Sequence, residues 1–131
     1  MILTLSRRAV TAWLFFFLFP AIAGGQLSIT EFVADNDGSY LDSDDEASDW
    51  IELSNAGASA VSTDGLYLTD NASDLTQWML PDVTIPAGGY LVIFASGKDR
   101  KDPQGDLHTN FSLSARGEYL ALIDTDGITP L

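Results

Sequence analysis

Polar and apolar positions alternate in short bursts along this chain, and turn-forming residues end each burst before it reaches helical length. Over residues 27–34, Leu27, Ile29 and Val33 fall on one side and Ser28, Thr30 and Phe32 on the other, until Asp35-Asn36-Asp37-Gly38 closes the strand. Asp49-Trp50-Ile51-Glu52-Leu53-Ser54-Asn55 then predicts a central strand in which Trp50 lies against an opposite sheet. A ring of that size buries about 200 Å², and its truncation to Ala would cost roughly 3 to 5 kcal/mol. Val61 opens a short strand, Asp64-Gly65 marks a hairpin-type connection, and Leu66-Tyr67-Leu68-Thr69 continues extended. Thr76-Gln77-Trp78-Met79-Leu80 is ended by Pro81, which has no N–H for a ladder. Tyr90-Leu91-Val92-Ile93-Phe94-Ala95 is apolar on both faces, as suits a strand inside a sheet. Glu118-Tyr119-Leu120-Ala121-Leu122-Ile123 is the last clear strand.

After Ala23 no window of ten residues keeps apolar positions at helical spacing without a Gly, Pro or Asp-rich break, so the pattern predicts little or no helix. The expected fold is all-β, an immunoglobulin-like β-sandwich of about seven short strands, with a single barrel as the structural alternative. If Leu66, Leu68, Leu91, Ile93, Leu120 and Leu122 face the core, then Tyr67, Tyr90, Val92, Phe94, Tyr119 and Ile123 point outward. Outward aromatics gathered together would mark a partner or glycan site.

The first residues obey a different pattern. Arg7 and Arg8 precede an apolar run, Pro20 breaks it, and Ala21-Ile22-Ala23 fits a cleavage site, so residues 1–23 read as a cleaved signal peptide and 24–131 as the mature domain. A membrane anchor is the competing reading, but the apolar stretch is shorter than the roughly 20 residues that span a bilayer. Loss of Arg7 and Arg8 leaves four basic against nineteen acidic side chains, a formal charge of −15. Such a polyanion disfavours nucleic acid and anionic lipid, and favours a cation or a basic partner. The chain has no cysteine, so its core holds without disulfides, which in an exported domain fits bacterial usage.

Five segments in order resemble the lamin-tail domain (LTD) family as it occurs in exported bacterial proteins. They are Ile29-Thr30-Glu31-Phe32; Asp49-Trp50-Ile51-Glu52-Leu53 with Asn55; Gly65-Leu66-Tyr67-Leu68-Thr69-Asp70; Ile85-Pro86-Ala87-Gly88-Gly89-Tyr90-Leu91; and Gly117-Glu118-Tyr119-Leu120-Ala121-Leu122. The resemblance implies an immunoglobulin-like module that binds or spaces rather than catalyses, an accessory to larger exported or surface proteins, and it carries over no active site. The family usually continues through one more strand where Thr125-Asp126-Gly127-Ile128-Thr129-Pro130-Leu131 stops, so a truncated domain is expected.

Candidate chemistry is sparse. His108 is the only histidine, which with no cysteine leaves no multi-His or Cys/His zinc set, and no Gly-x-Ser-x-Gly elbow accompanies it. It is expected to cap a loop. Glu31, Glu52 and Glu118 could be paired as glycosidase carboxylates, but outward strand positions explain them better. Lys98, Arg100 and Lys101 read as a solvated basic tip, and Asn71-Ala72-Ser73 and Asn110-Phe111-Ser112 are glycosylation sequons by pattern. Residues 35–49 hold seven carboxylates, with Asp35, Asp37, Asp42, Asp44 and Asp45 as calcium candidates. Counted from Asp42, however, an EF-hand's Gly falls on Ala47 and its Glu on Leu53, so a mobile solvated loop is the simpler expectation.

The function expected is a non-catalytic exported interaction, adhesion or spacer module with no cofactor and no membrane span in its mature form. Its partner would be a protein or an envelope glycan, met outside the cell or at the envelope. The alternatives are a calcium-dependent binding domain, or the N-terminal module of a hydrolase whose catalytic part is missing.

Overall fold

The computed structural model describes residues 26–117 and 119–131. The expected signal peptide and its cleavage site, and Glu118, lie outside the described residues. Nine strands follow in order: β1 (Leu27–Val33), β2 (Trp50–Asn55), β3 (Val61–Ser62), β4 (Tyr67–Thr69), β5 (Trp78–Met79), β6 (Thr84–Ile85), β7 (Tyr90–Phe94), β8 (Leu107–His108) and β9 (Ala121–Ile123). One sheet runs β1-β2-β7-β8, a second β5-β4-β9, and β3 pairs with β6 beside them. All pairs are antiparallel except β7 with β8. The described chain is an all-β sandwich without helix, with β2 and β7 inside their sheet as expected.

The core lies between the two larger sheets. Ile51, Leu53, Ile93 and Leu107 face Leu68, Trp78 and Leu122 across it, with Ile85 closing one side. Leu66 and Leu68, with Leu91, Leu120, Ile93 and Leu122, join this cluster, as the period-2 reading requires. Trp50 does not. Ile51 and Leu53 take the inward positions of β2, so Trp50 is turned to the outer face and half-buried, and Trp78 is the tryptophan sealed in the core.

β1 departs from simple alternation through a bulge between Ile29 and Glu31. An extra residue there shifts the phase. Ile29 stands opposite Leu53, but beyond the bulge Phe32 stands opposite Ile51 and Val33 opposite Trp50. Val33 is therefore on the outer face, not beside Leu27 and Ile29. Phe32 takes the inner side at the rim, 56% exposed. Asp64-Gly65 also differs from expectation. The turn from Thr63 to Leu66, with Gly65 at φ 77°, carries the chain from the β3-β6 pair into the other sheet and makes no hairpin.

Asn55 explains why β2 ends where it does. Its buried side chain donates from Nδ2 to the carbonyls of Ser59, Ile85 and Pro86 and accepts the Gly57 N–H at Oδ1. Its backbone N–H donates to Gly89 and its carbonyl accepts from Gly88, which turns at φ 69°. One amide thus satisfies the Ile85-Pro86-Ala87-Gly88-Gly89 turn, where unpaired carbonyls would be expensive.

At the far end, residues 129–131 return beside β9: Ile123 bridges Pro130, and the Leu131 N–H donates to the Leu122 carbonyl. Ile123 is buried although its parity points it outward.

Candidate functional site

The outer face of the four-stranded sheet carries a row set by register: Val33 opposite Trp50, Trp50 opposite Phe94, and Phe94 opposite His108. The acidic loop lies on this row. Tyr40 stacks on Phe94 at 5.6 Å between centroids and meets Trp50 edge-on at 6.1 Å, while Phe94 stacks on His108 at 5.3 Å. The outward aromatic Phe94 is therefore buried by the chain itself. Tyr90 and Tyr119, by contrast, are exposed.

The loop expected to be solvated and mobile is fastened at both ends. Asp49 Oδ1 accepts the N–H groups of Asp35 and Asn36, and Asn36 Nδ2 donates to the carbonyls of Tyr40 and Ser48. In the middle, Lys98 Nζ lies 2.7 Å from Asp42, 2.7 Å from Asp44 and 2.8 Å from Glu46, and Arg100 lies 2.8 Å from Asp44. The Ser43 N–H donates to Asp106. Like charges crowded on one loop would repel. Here the cations of a second loop, not solvent, take up the charge. The basic tip is thus solvated only in part: Arg100 and Lys101 are exposed, but Lys98 and Arg100 clamp this acidic strap and Lys101 lies 5.3 Å over the Trp78 ring.

The five calcium candidates are divided. Asp42 and Asp44 converge with Glu46, their oxygens within 4.8 Å of one another, while Asp35, Asp37 and Asp45 stand outside that group. Asp42 is 4% exposed. Burial alone would raise its pKa, but Lys98, the Glu46 and Asp44 N–H groups and the Ser48 hydroxyl all bond the carboxylate and hold it well below the usual range. Lys98 is correspondingly pushed up by Asp42, Asp44 and Glu46.

His108 is fully buried. Its Nδ1 lies 2.8 Å from Ser96 Oγ, its backbone exchanges hydrogen bonds with Arg100, and Nε2 is buried with no hydrogen-bond partner. Burial, then the nearby Lys98 and Arg100, lower its pKa. Glu31 and Glu52 stand opposite each other in register, and Glu52 accepts from Thr30 at 2.7 Å. In the sequons, Asn71 accepts the Ser73 N–H and Asn110 donates to the Gln77 carbonyl.

Sequence reasoning passed over Tyr40, Ser96 and one opening. That opening is a mainly apolar groove of about 300 Å³ where β1, β3 and the chain's last residues meet. Leu27, Val61, Leu66 and Leu131 give it apolar walls, and Asp64 and Asp124 stand at it as carboxylates. The strap had a legible signal, the cations of residues 98–101 set against seven carboxylates in residues 35–49. The groove had none, because it joins residues far apart in sequence.

Two facing sheets with an accessory strand pair, closed by loops and without helix in the described residues, define an all-β sandwich of immunoglobulin-like class. Residues 20–129 match the model of the Lamin Tail Domain family, and the chain belongs to that family. No curated protein and no solved structure gives a significant match.

Proposed function

We propose that this domain is a non-catalytic interaction module of an exported protein, holding a protein or a glycan at the cell envelope. The observation that carries this reading is the internal use of its reactive side chains: three carboxylates hold Lys98, and Ser96 and Phe94 hold the buried His108 ring. Export is supported by the order of charged, apolar and small-residue segments in residues 1–23. The test is retention of a fluorescent fusion of residues 24–131 on isolated envelopes. Retention above that of the reporter alone is expected, and a folded fusion that washes off with the reporter would overturn the reading.

Calcium binding is the second reading, favoured by the converging oxygens of Asp42, Asp44 and Glu46. An ion there must displace the Lys98 ammonium, which already bonds all three. Equal melting midpoints with millimolar calcium and with chelator are therefore expected. A rise with calcium but not with matched magnesium would turn the strap into a calcium site.

A further inference from the structure

The carboxylates of this domain are not evenly compensated. Among the described residues, all the ion pairs gather on Lys98 and Arg100 at the strap, and Lys101 is spent on the Trp78 ring. Neither Asp64 nor Asp124, which line the groove, takes part in an ion pair among the described residues. The Asp124 carboxylate accepts, among the described residues, only from Thr125, its neighbour in sequence. An apolar groove between two uncompensated carboxylates is complementary to an apolar side chain flanked by positive charge.

The groove also adjoins a free strand edge. β1 is the outermost strand of its sheet, and among the described residues its backbone pairs only with β2. The bulge after Ile29 breaks that edge, so regular pairing is available along Leu27 to Ile29, the end of β1 that borders the groove. We propose that the groove takes an extended basic segment of a partner protein: its backbone adds to the first half of β1, an apolar side chain enters between Leu27, Val61 and Leu131, and flanking Lys or Arg side chains meet Asp64 and Asp124. This is strand addition, in which the edge supplies affinity and the pocket selects the sequence. A second copy of the chain fits poorly, because its residues 24–131 bring a further −15 and, among the described residues, Arg116 as the one basic side chain outside the ion pairs and the Trp78 contact.

The inference rests on the interaction-module reading, and its test separates the two. The probe is a fluorescein-labelled peptide alternating Leu with Lys and Arg, against a control alternating Leu with Glu, measured by anisotropy on residues 24–131. The basic peptide is expected to bind and the acidic one not to. The double variant Asp64→Ser with Asp124→Asn is expected to weaken binding at least tenfold. A charge-matched control, Asp37→Ser with Asp45→Asn in the acidic loop, is expected to leave it within twofold. Equal weakening by both pairs would reduce the effect to general attraction by a polyanion and overturn the groove. So would a dimer in sedimentation that Val61→Glu dissolves, since the occupant would then be a second copy. Melting curves check that each variant is folded. Envelope retention that persists while the peptide fails to bind would remove the groove proposal and leave the module reading standing.

Discussion

Asn55 shows how much of this fold can hang on one amide. Its two Nδ2 hydrogens are shared among three carbonyls, which no aliphatic or carboxylate side chain can replace. Asn55→Ala is expected to cost about 2 to 4 kcal/mol, from buried carbonyls left unpaired and a lost buried side chain. Asn55→Asp is expected to cost at least as much, because it sets a carboxylate against the same carbonyls. Urea melts of the two variants measure this, and a loss below about 0.5 kcal/mol for either would mean that water replaces the amide. The two tryptophans among the described residues differ in the same way. Trp78, sealed in the core and donating to Asp99, is expected to lose about 3 to 5 kcal/mol on truncation to Ala, and half-buried Trp50 less.

The acidic strap is the element that most changes on passing from sequence to structure. Tyr40 is its only aromatic contact with the sheet, so Tyr40→Ala should uncover Phe94 and the Trp50 ring. The expected result is a red shift in tryptophan emission with greater quenching by acrylamide at little change in backbone circular dichroism. An unchanged spectrum would mean that the ion pairs alone hold the strap. Strands β2 and β7 were legible because Trp50, Ile51 and Leu53, and the run Tyr90 to Phe94, are short apolar stretches bounded by turn-forming residues, too short for a helix. The strap was hidden because a charge run looks the same whether water or a distant lysine neutralises it, and Lys98 lies more than fifty positions away from Asp42 and Asp44. The bulge in β1 was hidden for a different reason. Sequence alternation carries no mark of an inserted phase shift, so Val33 and Phe32 exchanged faces unseen.

At the scale of the whole molecule, acid should loosen this domain in two stages. His108 has a lowered pKa in the fold, so in the unfolded chain it takes up a proton near pH 6.5 that the native state refuses. Stability therefore falls as pH drops below about 6.5. Asp42 is shifted the same way, and its contribution, complete above about pH 5, is lost as pH falls further. Melting midpoints against pH are expected to show both declines, with His108→Gln removing the first. A single decline near pH 4 in the unaltered protein would dismiss the histidine's part. The strap has one more consequence, for chemistry done to the molecule from outside. The chain holds two lysines, Lys98 and Lys101. Acylating reagents attack the neutral amine, and the carboxylates around Lys98 keep it protonated. Mild acylation should therefore modify Lys101 and spare Lys98, so that an acyl group found on Lys98 by mass spectrometry becomes a chemical record of how often the strap lifts from the sheet.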